Sequence, residues 1–118
     1  MKQETIDKAL LFRDERNWSQ FHNPKDLALS LSLEASELLE LFQWKSSEEA
    51  VAVNEAKMKE ELADVLLYAI SFADRMGFDL DEIILDKLEK NGRKYPVELA
   101  KDSKEKYDAL KRAHKEDK

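Results

Sequence analysis

Apolar residues recur along this chain at intervals of three and four, and the helices this period predicts are separated by recognisable starts and stops. Ile6, Leu10 and Arg13 fall on one line of a first helix over about Gln3 to Arg16. The segment NWSQFHNP, rich in loop formers and aromatics, then interrupts the pattern. Asn23 can cap free amides and Pro24 suits a first helical position, so a second helix starts there and runs to about Trp44. KSSEEAVAVNEA is polar and lacks a strong period, which predicts a loop or a short extra helix before a third long helix over roughly Glu55 to Met76. Gly77 ends that helix, Asp79 caps a fourth that continues to Gly92, and Tyr95 and Pro96 close it. The expected architecture is all-α: a four-helix bundle in one domain over 1–100. The charged tail 101–118, KDSKEKYDALKRAHKEDK, is a frayed surface helix or disordered.

Composition agrees with helices. Two glycines and two prolines punctuate 118 residues dominated by Leu, Ala, Glu and Lys, and this length suffices for one buried core. Cysteine is absent, no charged-then-apolar leader opens the chain, and no run approaches the ~20 apolar residues of a membrane span. The expectation is a soluble cytoplasmic protein without a membrane partner. A net charge of -6 repels polyanions, so general nucleic-acid binding is not expected.

The acids change the picture. A chain with 26 acids contains pairs three residues apart by chance, so position on the helix matters more than spacing. At about 100° per residue, Leu27, Leu31, Glu34, Leu38, Leu41 and Phe42 share one arc, with Glu34 near its centre and Glu37 on its flank. Glu40 lies on the far side. On the third helix Glu61 shares a line with Val65, Tyr68 and Phe72, and Asp64 flanks it in the same sense. A carboxylate directed into an apolar interior costs several kcal/mol unless it is paired or holds a cation. Lys57 and Arg75 lie near the Glu61 line and leave a structural ion-pair network open. A hard divalent ion suits four carboxylates better, since Mg²⁺ takes oxygen ligands and completes its shell with water and phosphates. A bundle di-iron site would want Glu-x-x-His pairs, and neither His22 nor His114 follows a glutamate at that spacing.

Glu34-x-x-Glu37 together with Glu61-x-x-Asp64 in EELADVLLY, preceded by RNWSQFHNPKDL and LELFQWK and followed by KNGRKYP, closely resembles the MazG-like all-α NTP pyrophosphohydrolases. Within that superfamily the dCTP-pyrophosphatase-type branch is most similar, over about Phe12 to Pro96. The resemblance implies Mg²⁺-dependent hydrolysis of a nucleoside triphosphate between the α and β phosphates, giving the monophosphate and pyrophosphate. Carried over by position, Glu34, Glu37, Glu61 and Asp64 are the magnesium ligands, and one of them orients or deprotonates the attacking water. Such chemistry asks a protein mainly for positioning and charge neutralisation.

Lys87, Asn91 and Lys94 share one line of the fourth helix or its end and can offer two cations and an amide to phosphates or sugar; a solvated face is the alternative. Trp18, Phe21, His22, Trp44 and Tyr68 match positions that line the base and sugar pocket in related deoxycytidine enzymes. A base stacked on tryptophan gains ~1 to 3 kcal/mol. Core packing remains open for these aromatics, a hydrogen-bonded structural role for His22, and Phe21 is assigned to the core. Some relatives carry a histidine on the first helix where this chain has Ala9, a departure that bears on base preference.

Leu62, Leu66, Ala69, Ile70 and Ala73 form a second apolar face of the third helix, expected to meet another subunit. The resemblance implies a homodimer or a homotetramer built from dimers. The expected activity is pyrophosphohydrolysis of dCTP or a modified dCTP in nucleotide-pool house-cleaning. The alternatives are broader dNTP, NTP or dUTP specificity, or a non-catalytic oligomerisation module whose inward acids pair with lysines.

Overall fold

The computed structural model describes residues 1–102 and 104–115 and is all-helical there. Two compact units divide at Phe78 and Asp79. In the first unit α1 spans Gln3–Glu15, a one-turn 3₁₀ helix covers Trp18–Phe21, α2 spans Pro24–Glu40 and α3 spans Ser47–Met76. In the second, α4 spans Leu80–Lys94, α5 Val97–Ala100 and α6 Lys104–Lys115. Residues 103 and 116–118 of the tail lie outside the described residues; the rest of the tail beyond its first turn is the helix α6. No helix among the described residues is long and apolar enough to cross a membrane.

The punctuation acts as its chemistry dictates. Asn23 caps α2 by accepting a 2.9 Å hydrogen bond from the Asp26 amide, with Pro24 in the first turn. Asp79 caps α4 by accepting from the Glu82 amide at 3.0 Å. Gly77 ends α3 at φ 71°, a left-handed conformation that glycine adopts without steric cost.

Two boundaries differ from expectation. KSSEEAVAVNEA is neither loop nor separate helix: its residues from Ser47 are the first turns of α3, 30 residues long. A capping box starts it, with the Glu49 amide donating to Ser46 Oγ at 3.1 Å and the Ser46 amide to Glu49 Oε1 at 3.4 Å. At the other end of the hairpin, α2 stops at Glu40 rather than Trp44. Leu41, Phe42 and Gln43 bond three residues back, a 3₁₀-type tightening, and Trp44 turns to φ 62°.

α2 packs along α3 as an antiparallel hairpin, and α1 packs against α3. Asn54 Nδ2 donates to the Leu41 carbonyl at 2.9 Å, satisfying a carbonyl freed at the end of α2 and pinning the register of the two helices. Among the described residues, Leu27, Ala50, Ile70 and Ala73 are the buried apolar ones. Ile70 and Ala73 therefore belong to the chain's own core and not to a free second face, because α1 adds a third helix around α3. Leu62 and Leu66 of that face are exposed.

Candidate metal centre

The antiparallel register places Glu34 of α2 across from Glu61 of α3. Moving about two turns back from Leu41 and two turns on from Asn54 reaches these residues, and Asp64 follows within a turn. One carboxylate oxygen from each of Glu34, Glu61 and Asp64 lies within 4.8 Å of the others. All three residues are half-buried, held by the half-buried Leu31, Leu38 and Leu41 on α2 and Val65 and Tyr68 on α3. Glu37 is exposed, and its carboxyl lies close enough to act on both Glu34 and Glu61.

The electrostatics follow from this crowding. The hydrogen bond with Glu37, then burial, then the negative charges of Glu37, Asp64 and Glu61 push the Glu34 carboxyl up to about 7. Burial raises Glu61 as well, aided by its hydrogen bond with Glu37 and by the charges of Glu37, Asp64 and Glu60. Glu34 Oε2 and Glu61 Oε2 are buried with no hydrogen-bond partner. Among the described residues the ion pairs join other groups, on α1, between α1 and α3, and on α4, so neither Lys57 nor Arg75 neutralises the cluster within the chain. Unpartnered acceptor oxygens converging on one point are the donor set a hard cation needs, so these residues fit a divalent metal.

The remaining candidates are distributed unevenly. His22 sits at the end of the 3₁₀ turn with its ring 6.4 Å from that of Tyr68, one turn along α3 from Asp64, and its Nδ1 is buried without a partner. Burial, then the positive charge of Arg13, lower the basicity of this imidazole. Trp18 stands edge-on to Phe12 at 5.8 Å, with the Arg16 guanidinium 3.6 Å above the Phe12 ring. Trp44 is 91% exposed, projecting from the turn after α2 instead of continuing the helix. Phe21, expected in the core, is 65% exposed, because the tight 3₁₀ turn directs it to solvent. Lys87, Asn91 and Lys94 lie on α4 in the second unit: Lys87 is exposed, while Asn91 and Lys94 are half-buried, the Lys94 ammonium 5.4 Å from the Tyr95 ring. A surface groove lined by Ser36, Leu39, Glu40, Phe42 and Gln43 belongs mainly to the face of α2 turned away from Glu34. Arg13 shares one line of α1 with Ile6 and Leu10, and the sequence analysis gave it no role. Its signal was that placement, the counterpart of Glu34's.

Fold and site together define an all-α protein with a carboxylate cluster between two antiparallel helices. A model of the MazG-like family matches residues 29–110, and the chain belongs to that family. It is 45% identical over 104 residues to dCTP pyrophosphatase 1 of Bos taurus, an overlap of 84% of this chain and 62% of that protein. With dCTP pyrophosphatase 1 of Homo sapiens the identity is 43% over 104 residues, covering 84% and 61%. The chain thus spans about three fifths of the length of these curated relatives. The crystal structure of a pyrophosphatase from Archaeoglobus fulgidus DSM 4304 matches with a TM-score of 0.75 and 43% identity, over 80% of this chain and 91% of that one.

Proposed function

We propose that the protein is a Mg²⁺-dependent nucleoside triphosphate pyrophosphohydrolase that acts on dCTP or a modified dCTP in nucleotide-pool house-cleaning. Water cleaves the anhydride between the α and β phosphates, its oxygen going to one phosphorus as the bridging oxygen leaves with the other, and the products are the monophosphate, pyrophosphate and a proton. The observation that carries this reading is the set of Glu34, Glu61 and Asp64 oxygens within 4.8 Å, two of the three carboxylates having a buried, unpartnered oxygen. The names of the curated relatives support the reaction and the base, and the archaeal structure is named only as a pyrophosphatase.

Glu34, Glu37, Glu61 and Asp64 would hold the ion, which when bound supplies charge neutralisation to the phosphates. A carboxylate of the same set, left facing water, accepts a proton and orients the nucleophile. His22 and Tyr68, with Trp18 and Trp44 as flanking aromatics, take the base and sugar. The exposed Leu62 and Leu66 support assembly as a homodimer or a homotetramer of dimers.

Glu61→Gln and Asp64→Asn each keep the helical circular dichroism and lose pyrophosphate release by at least about a hundredfold. Full activity in either variant removes the carboxylate cluster from the mechanism. A panel of canonical and modified dNTPs, scored for pyrophosphate, assigns the base, and preference for another nucleotide over dCTP overturns that part of the reading.

A further inference from the structure

Arg13 is a charged side chain on the inward line of α1, among the half-buried Ile6, Ala9 and Leu10. Only 12% of its side chain is exposed. Nη1 donates to Asp74 Oδ2 on α3 at 2.9 Å, and Nε donates to Asp14 Oδ1 at 2.9 Å. A guanidinium is rigid, always charged and presents its donors in a fixed fork, so both carboxylates fix its position. The pair with Asp74 is the tie between α1 and the C-terminal turns of α3.

The residues that follow α1 need such a tie. Asn17 adopts a left-handed φ of 53° and the 3₁₀ turn spans one turn only. His22 then closes on Ser19 through a local amide bond of 3.1 Å. These contacts shape the turn, whose two ends are carried by α1 and α2, both packed on α3. Yet His22 arrives against Tyr68, its ring 6.4 Å away and its Nδ1 buried without a partner. The Arg13 charge is close enough to help hold this imidazole less basic than usual. A neutral imidazole with a free, enclosed nitrogen can discriminate donors from acceptors on a ligand, provided the ring is held still.

We propose that the Arg13–Asp74 ion pair, by locking α1 onto α3, places His22 against Tyr68 for the nucleoside end of the substrate. Arg13 and Asp74 are thus positioning residues for recognition, remote from the hydrolytic carboxylates. The nucleoside assignment rests on the pyrophosphohydrolase reading; the placement of His22 stands on the geometry alone.

The test compares wild type, Arg13→Gln and the charge reversal Arg13→Glu/Asp74→Arg. It uses steady-state kinetics with dCTP and Mg²⁺, and nuclear Overhauser contacts between the His22 and Tyr68 rings in the metal-free protein. Arg13→Gln is expected to raise KM by about tenfold with kcat changed by less than about twofold, and to lose the ring–ring contact. The charge reversal is expected to regain most of both. If Arg13→Gln lowers the melting temperature but leaves KM and the contact intact, the pair is merely structural and the proposal falls. A KM increase with the ring contact unchanged also overturns it, because recognition then does not run through His22. Should wild type release no pyrophosphate from any nucleotide, the functional reading and the nucleoside assignment fail, while the ring contact still decides whether Arg13 places His22.

Discussion

Glu34→Gln should make the metal-free protein more stable while destroying its response to Mg²⁺. At the 4.8 Å that bounds the cluster, two carboxylate charges repel by about 0.9 kcal/mol in a water-like medium. Screening at physiological salt, where the Debye length is about 8 Å, reduces this to about 0.5 kcal/mol for the Glu34–Asp64 pair. Relief of that pair alone raises the melting temperature by about 2 °C, and the neighbouring Glu37 and Glu61 act in the same direction. Glutamine keeps the shape and offers Glu37 a hydrogen-bond donor, so little else is lost. Wild type bound to Mg²⁺ at a hundredfold excess over Kd gains about 2.7 kcal/mol, roughly 8 to 12 °C. The melting curves therefore exchange order: the variant is higher in EDTA and the wild type is higher in Mg²⁺. Calorimetry at pH 8 reads this directly. A variant that melts several degrees below wild type in EDTA, or keeps the full Mg²⁺ shift, refutes the account of Glu34 as a repelled carboxylate awaiting a cation.

Two further outcomes follow. The folded Glu34 carboxyl sits at about 7, above its ordinary 4.5, so the folded state holds that proton more tightly than the unfolded chain. Its stabilising contribution is complete below about pH 4.5 and is lost as pH rises through about 7; the metal-free melting temperature should fall across this window, and a slope unchanged by Glu34→Gln would refute the assignment. Leu27→Ala, at a side chain only 1% exposed, should cost about 2 to 5 kcal/mol in urea unfolding, whereas Leu39→Ala, 69% exposed, should stay within about 0.5 kcal/mol.

The parts of the fold legible in sequence were those encoded locally. Asn23–Pro24, Gly77 and Asp79 each satisfy or release backbone groups within a few residues, so their meaning does not depend on the rest of the chain. Glu34 stood out because leucines surround it on the wheel. The first turns of α3 were illegible to an apolar period because their inward line is made of Ala50, fully buried, and the half-buried Asn54, which hydrophobic periodicity does not register. The S-x-x-E of Ser46 and Glu49 was the available signal. Ile70 and Ala73 were assigned to a subunit interface because a helix wheel shows that a face is apolar but not which neighbour covers it. The partnership of Arg13 with Asp74 spans 61 residues and has no local signature at all.

The bond from Asn54 to the Leu41 carbonyl gives the hairpin a ruler. Both arms are measured outward from this pin to the acids, so the turn over 42–46 lies on the outside of the measurement, where a change in chain length leaves the spacing of the carboxylates alone. Between the pin and the acids the opposite holds: one residue gained or lost in either arm rotates everything beyond it by about 100° and turns the carboxylates out of their shared centre. Tolerance to insertion and intolerance of it meet at a single side-chain amide.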